Sequence, residues 1–183
     1  NPFKSFGFTS LNVGETKISG FDVTLNAEGS WGEFKFQTLF GYTYTNPIMI
    51  HIDEVFASDS LGIQYSFRST RSDSTNTLKY RYKHLLKWDV QVSYNKWQLG
   101  YSIKYNSFME NIDAAFVQLP LNLFAKDIDK ARAANPNGNT VMDARIAYQI
   151  NRRMKIALMV NNLLNVEFMT RPADLRPPRL SMV

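Results

Sequence analysis

The sequence predicts an all-β fold, an antiparallel sheet whose strands cross a membrane as part of a β-barrel. Three observations lead there. Apolar and polar residues alternate in successive runs, aromatic side chains crowd one face of those runs, and very short connections at one end alternate with long ones at the other. Alternation alone also fits a soluble sandwich or small barrel with one wet face. The aromatic crowding and the asymmetry of the connections favour lipid over a confined core.

The elements follow in order. Phe21, Val23, Leu25 and Ala27 share one face, with Asp22, Thr24, Asn26 and Glu28 on the other, a period of two that no helix can hold. After the turn signal Gly29-Ser30-Trp31-Gly32, Phe34, Phe36, Phe40, Tyr42 and Tyr44 alternate with Lys35, Gln37, Gly41 and Thr43 to complete a hairpin. A polar stretch from Asn46 to near Asn76 reads as a long loop. Leu86, Trp88, Val90, Val92 and Tyr94 then alternate with Lys87, Asp89, Gln91 and Ser93, Asn95-Lys96 turns the chain, and Trp97, Leu99, Tyr101, Ile103 and Tyr105 run back. Glu110 to Asn139, with Pro120, the helix-compatible Ala125 to Ala134 and the turn-rich Asn135 to Asn139, reads as a second long loop. Met142 to Ile150 and Ile156 to Val160 form a third hairpin about Asn151-Arg152-Arg153, and a last strand begins near Arg179. All seven prolines are expected outside the strands. Phe6 to Asn12 also alternates, with a bulge or a tight turn at Val13-Gly14-Glu15.

Composition narrows the function. The 183 residues are 44% hydrophobic, 14% aromatic and 20% charged, with net charge +5, the length of one domain. The longest apolar run, Ile156 to Val160, is far below the roughly 18 residues of a spanning helix. With no cysteine, disulfide scaffolds and thiolate sites are excluded. His51 and His84 stand far apart in sequence, which gives a histidine-based zinc site little support. Lys and Arg are scattered and no nucleic-acid motif is present, so no nucleic-acid partner is expected. No nucleophile, base and orienting acid fall together, so no catalytic residue, and no enzyme, is expected.

The aromatics fall into two girdles. Trp31, Tyr94, Trp97 and Tyr148 lie at the short-turn end, and Tyr44, Tyr80, Tyr82, Tyr105 and Phe108 toward the long loops, as expected of rings that are apolar with wet tips at a bilayer interface. Six strong strands and a truncated seventh would leave two raw edges in lipid, where each unpaired backbone group costs several kcal/mol. The chain, which opens at Asn1 without a secretory leader pattern, is therefore expected to be a fragment, with most of the barrel before it.

The residues resemble the C-terminal barrel portion of a TonB-dependent outer-membrane transporter of the Bacteroidetes type, over nearly all of residues 1–183. The most specific piece is Asn161-Asn162-Leu163-Leu164-Asn165-Val166-Glu167-Phe168-Met169-Thr170-Arg171-Pro172, followed by Pro177-Pro178-Arg179. Asn12-Val13-Gly14 with Ile18-Ser19-Gly20-Phe21-Asp22, and Phe40-Gly41-Tyr42-Thr43-Tyr44-Thr45, are similar to two further motifs of the family. The resemblance implies about the last seven strands of a 22-stranded barrel, with the plug and the earlier strands absent. It also implies a bacterial outer-membrane location and active uptake of a large or scarce nutrient (a siderophore, haem, glycan or peptide) driven through the TonB complex, which would meet a segment outside this chain. The implied partners are the rest of the barrel, the plug and outer-membrane lipid; some members carry a surface lipoprotein as a lid. No cofactor is implied. The chain stops at Val183, before the terminal aromatic usual in the family.

The candidate lumen-facing residues are Asp22, Asn26, Glu28, Lys35, Lys87, Asp89, Lys104, Asp143 and Arg145. Each either solvates the interior and pairs with the plug or touches substrate. Their mixed signs argue against a single-charge filter. Trp88 and Val90 should face lipid, so Gln91→Arg should be nearly silent where Val90→Arg is costly. In the first loop, His51, Asp53 and Glu54 are either ordinary polar loop residues or hard ligands for a metal or its chelate. In the second, Phe116, Leu119 and Phe124 belong to an apolar stretch that packs over the barrel mouth or grips a partner. A plugless porin and a soluble all-β binding domain are the competing readings.

Overall fold

In the computed structural model, the described residues are 14–58, 60–68, 71, 75–113, 132–166, 168–171, 174–176 and 181–182. The strands are β1 (Glu15–Trp31), β2 (Phe34–Ile50), β3 (Val55–Ser58), β4 (Gln64–Ser66), β5 (His84–Tyr94), β6 (Trp97–Asn106), β7 (Asn139–Asn151), β8 (Met154–Asn161), β9 (Phe168–Arg171), β10 (Asp174–Arg176) and β11 (Ser181–Met182). Seven of them form one antiparallel sheet in the order β1-β2-β5-β6-β7-β8-β11; β3 with β4, and β9 with β10, are separate small hairpins. The final strand expected near Arg179 is β11, where Ser181 pairs with Asn161 and Met182 with Val160.

Register fixes the two faces, since with a period of two a whole row of side chains goes to one side. Leu25, Phe40, Trp88, Ile103 and Met142 stand side by side across five strands. One row at the short-turn end consists of Trp31, Phe34, Tyr94, Trp97 and Tyr148, closed by Ile156. Its rings touch: Phe34 and Tyr94 stack at 4.4 Å, Trp97 and Tyr148 meet at 4.6 Å. Toward the long loops, Phe21 lies against Tyr42 and Tyr44 with centroids at 5.9 and 5.7 Å, and His84 joins them. Phe21 and Trp31 are separated by about 34 Å of antiparallel strand, or roughly 24 Å of height at a tilt near 45°. That matches the ~25 Å apolar band of an outer-membrane barrel.

Among the described residues, none covers this apolar face. Phe21, Leu25, Trp31, Phe34, Phe36, Leu99 and Ile156 are 43% to 83% exposed, which a soluble sandwich could not tolerate. Polar atoms on it find partners within the sheet, as a lipid surround demands. Trp88 Nε1 donates to Thr38 Oγ1 at 2.8 Å, and Thr38 Oγ1 donates onward to Asp89 O at 3.2 Å. The Tyr101 hydroxyl lies 2.9 Å from Met142 Sδ.

Three expectations need correction. The first turn is Gly32-Glu33, with Gly29, Ser30 and Trp31 inside β1; Gly32, at φ 60°, supplies the left-handed residue. The first long loop begins after Ile50 rather than at Asn46, and it contains the β3–β4 hairpin. Pro47 lies inside β2, opposite Ile18. The reason is local: Thr45 N donates to Lys83 O at 2.9 Å and Met49 N to Asn76 O at 2.7 Å, so odd residues here point their N–H away from β1. Pro47 thus removes no bond to β1, and its carbonyl accepts Leu78 N at 2.9 Å. Gly14 precedes β1 at φ 83°; the alternation of Phe6 to Asn12 lies outside the described residues.

Candidate functional site

Every lumen candidate shares the face opposite the aromatic rows. Asp22 accepts a hydrogen bond from Thr43 Oγ1. Glu28 and Lys35 lie toward the short-turn end, opposite Gln37 and Ser30. Lys87 pairs with Asp89 at 3.0 Å, and Lys104 with Asp143 at 3.6 Å. Asp143 Oδ1 also accepts Asn162 N at 2.8 Å, which ties β7 to the chain beyond β8. Arg145 lies flat across β6 because Gly100 has no side chain: a Cβ there would sit 3.2 Å from the guanidinium. The same guanidinium donates to Gln91 on β5. Glu28, Lys87, Asp89, Gln91, Lys104, Asp143 and Arg145, with Asn26 and Ser102, line one groove of about 570 Å³, whereas Asp22 and Lys35 share the face but not the groove. Gln91 lies on the face its alternation with Asp89 predicts; Ser102 was not singled out from the sequence, and its signal is that it alternates in phase with Lys104.

The long-loop end holds a structure that alternation could not reveal. Asn111 and Ile112 are fully buried and Thr77 is 3% exposed, because the two long loops pack on each other. Asn111 Nδ2 donates to Thr77 O, and Tyr80 N to Asn111 O, both at 2.8 Å. Thr77 Oγ1 donates to Glu110 Oε2 at 2.7 Å, while Lys83 Nζ lies 2.8 Å from Glu110 Oε1. Asp113 receives Lys79 and the Tyr80 hydroxyl and pairs in an antiparallel bridge with Arg71. Ser107 Oγ accepts both Lys83 N and His84 N at 3.1 Å, using its two lone pairs. Arg132 donates to Met109 O at 2.7 Å and lies over the Phe108 ring.

Electrostatics follow from this packing. Burial would raise the Glu110 carboxyl, but the Lys83 and Thr77 hydrogen bonds and the Lys83 charge outweigh it and hold it below the usual glutamate range. Burial, reinforced by donation to Asp113, pushes the Tyr80 phenol well above its ordinary value. Burial also raises Tyr82. Tyr80 and Tyr82 belong to this loop layer rather than to the outward aromatic rows of the strands.

The first-loop candidates His51, Asp53 and Glu54 line one cavity of about 520 Å³ with Met49, Ile52 and Asn76, without converging on a common point. Asp53 is held by Arg68, whose Nη2 reaches Oδ2 at 3.2 Å, and this lowers its carboxyl. His51 Nε2 is 4.0 Å from Glu15, and Glu54 makes a backbone bond to His51 O at 3.1 Å. Among the described residues, no three His, Cys, Asp or Glu side chains converge to hold a metal. Phe116, Leu119 and Phe124 lie outside the described residues.

A twisted antiparallel sheet with one lipid-compatible face, one polar concave face, two-residue turns at one end and packed loops at the other is the wall of an outer-membrane β-barrel. Residues 1–163 match the family described as TonB dependent receptor-like, beta-barrel. The chain belongs to that family, whose members are outer-membrane transporters rather than enzymes and work with a plug and TonB. The match takes in the motifs at Asn12–Asp22 and Phe40–Thr45 but ends just inside the one that starts at Asn161. A search of curated proteins gives no match.

Proposed function

We propose that this chain is the C-terminal wall of a plugged barrel that imports a large or scarce nutrient, such as a siderophore, haem, glycan or peptide, on energy transmitted through TonB. The observation that carries this reading is the family match on a sheet with a polar concave face. Asp22, Glu28, Lys35, Lys87, Asp89, Lys104, Asp143 and Arg145 would line the lumen and meet the plug. Their four acids and four bases fit a surface that pairs with a folded domain better than a filter for one ion sign. The open edges of β1 and β11 would be closed by strands of the same barrel, since an unpaired edge is not viable in lipid.

The test is nutrient uptake by cells carrying the natural full-length protein, with and without a protonophore and with TonB deleted. Uptake should fall to background in both cases. Uptake indifferent to both would make the protein a passive channel.

A further inference from the structure

The short-turn end carries charge that transport leaves unexplained. Its three described turns hold Glu33, Lys96, Arg152 and Arg153. Glu33 is engaged by Asn95 Nδ2 at 3.0 Å. Among the described residues, no carboxylate forms an ion pair with Lys96, Arg152 or Arg153. At the long-loop end the pattern is opposite: Arg68 sits on Asp53, Lys79 on Asp113 and Lys83 on Glu110.

The three cations are clustered and braced. Gln149 N donates to Lys96 O at 2.8 Å and Lys96 Nζ reaches Ile150 O at 3.4 Å, which joins the β5–β6 turn to the end of β7. Asn151 Oδ1 accepts Arg153 N at 2.9 Å, and Gln149 Nε2 donates to Met154 O at 3.1 Å, which hold the β7–β8 turn. On the membrane side of this cluster lies the aromatic row, with Trp97 against Tyr148.

We propose that Lys96, Arg152 and Arg153, above the Trp97–Tyr148 shelf, form a docking surface for the phosphodiester headgroup of an anionic phospholipid in the leaflet facing the short turns. The inference rests on the barrel's membrane placement but not on its cargo or its energy source. A headgroup is favoured over an acidic protein because the cations adjoin the lipid-facing row, so acyl chains along Tyr94, Trp97 and Ile156 bring a phosphodiester to their level. Guanidinium groups match phosphate oxygens in pairs. Each cation near an anionic surface strengthens attachment by roughly fivefold.

The experiment uses the full-length protein, delipidated in neutral detergent and offered dioleoyl phosphatidylglycerol or dioleoyl phosphatidylcholine, with bound lipid counted by native mass spectrometry. Phosphatidylglycerol should be retained at least about fivefold better than phosphatidylcholine. The preference should vanish in the Lys96→Gln/Arg152→Gln/Arg153→Gln variant and persist in Arg152→Lys/Arg153→Lys. Millimolar inorganic phosphate should not displace the lipid. Equal retention of the two lipids by the natural protein would overturn the proposal, as would an undiminished preference in the triple glutamine variant with its barrel intact. Displacement by inorganic phosphate alone would assign the cluster to free anions, and binding of polyglutamate without lipid preference to an acidic protein; either outcome overturns it. If the triple variant does not fold, the natural protein in about 1 M salt gives the answer: a preference surviving there is not carried by these charges.

Discussion

At the level of single residues, a side chain's cost depends on which medium its row faces. Val90 shares the lipid face with Thr38, Tyr101 and Ala144, between the two aromatic girdles. Val90→Arg should cost about 2 to 4 kcal/mol, read by reversible urea unfolding from lipid vesicles. Gln91 is a poorer polar comparator than its sequence position suggests, because it accepts a hydrogen bond from Arg145. Gln91→Arg would face one guanidinium with another, whereas Thr24→Arg, opposite Gly41, should be nearly silent in the same assay. Glycines divide in a similar way. A Cβ at Gly20 would sit 2.1 Å from Tyr44 O, a backbone atom that cannot swing aside, whereas one at Gly41 would meet only Lys87 O at 4.0 Å. Gly20→Ala should therefore lose about 1 to 3 kcal/mol as β1 is pushed off β2, and Gly41→Ala almost nothing.

Among elements, the strands and the loops obey different rules. The strands hold by backbone ladders and cross-strand pairs between neighbours in register, but the loops hold by the contacts of Glu110, Asn111 and Asp113 with residues more than thirty positions earlier. Since the Glu110 carboxyl lies below its unfolded value, its share of stability is complete above the ordinary glutamate range and is lost as pH falls through the lower, folded value. Acidification below about pH 4 should therefore speed hydrogen exchange at the Tyr80 amide, corrected for intrinsic rate. Glu110→Gln should speed it already at pH 7, with the amides of β5 and β6 unchanged. This is also where the sequence became silent. The alternation of Trp88 to Tyr94 or Trp97 to Tyr105 states both a strand and its faces, because the information is local. The partners of Glu110 are distant, and nothing in the sequence around Thr77 or Lys83 marks either as its mate. Pro47 misled for a related reason: it is compatible with β2 because the neighbouring chain there is loop rather than β5. Asp53 looked like a ligand until Arg68, fifteen residues on, took it up.

At the scale of the molecule, among the described residues the sheet has a neighbour on only one side of β1 and of β11. The natural polypeptide, extracted in detergent, should therefore have an intact mass several times 21.1 kDa. A mass near 21.1 kDa would mean that separate chains close those edges. The near absence of buried apolar side chains from the sheet, where Pro47 and Ala147 are the two such residues among those described, has a further consequence for how freely this sequence can drift. In a globular protein the interior is the intolerant part, because solid neighbours surround each side chain. Here the neighbours of Leu25, Leu99 and Ile156 are fluid acyl chains, which accommodate any apolar shape, so exchanges among Leu, Ile, Val, Phe and Met should be freely accepted along the strands. Shape is enforced instead where Asn111 and Ile112 are enclosed by protein and where Gly20 meets backbone. A saturation survey of viable substitutions should thus be the inverse of a globular map, permissive through the membrane and strict at the roots of the loops.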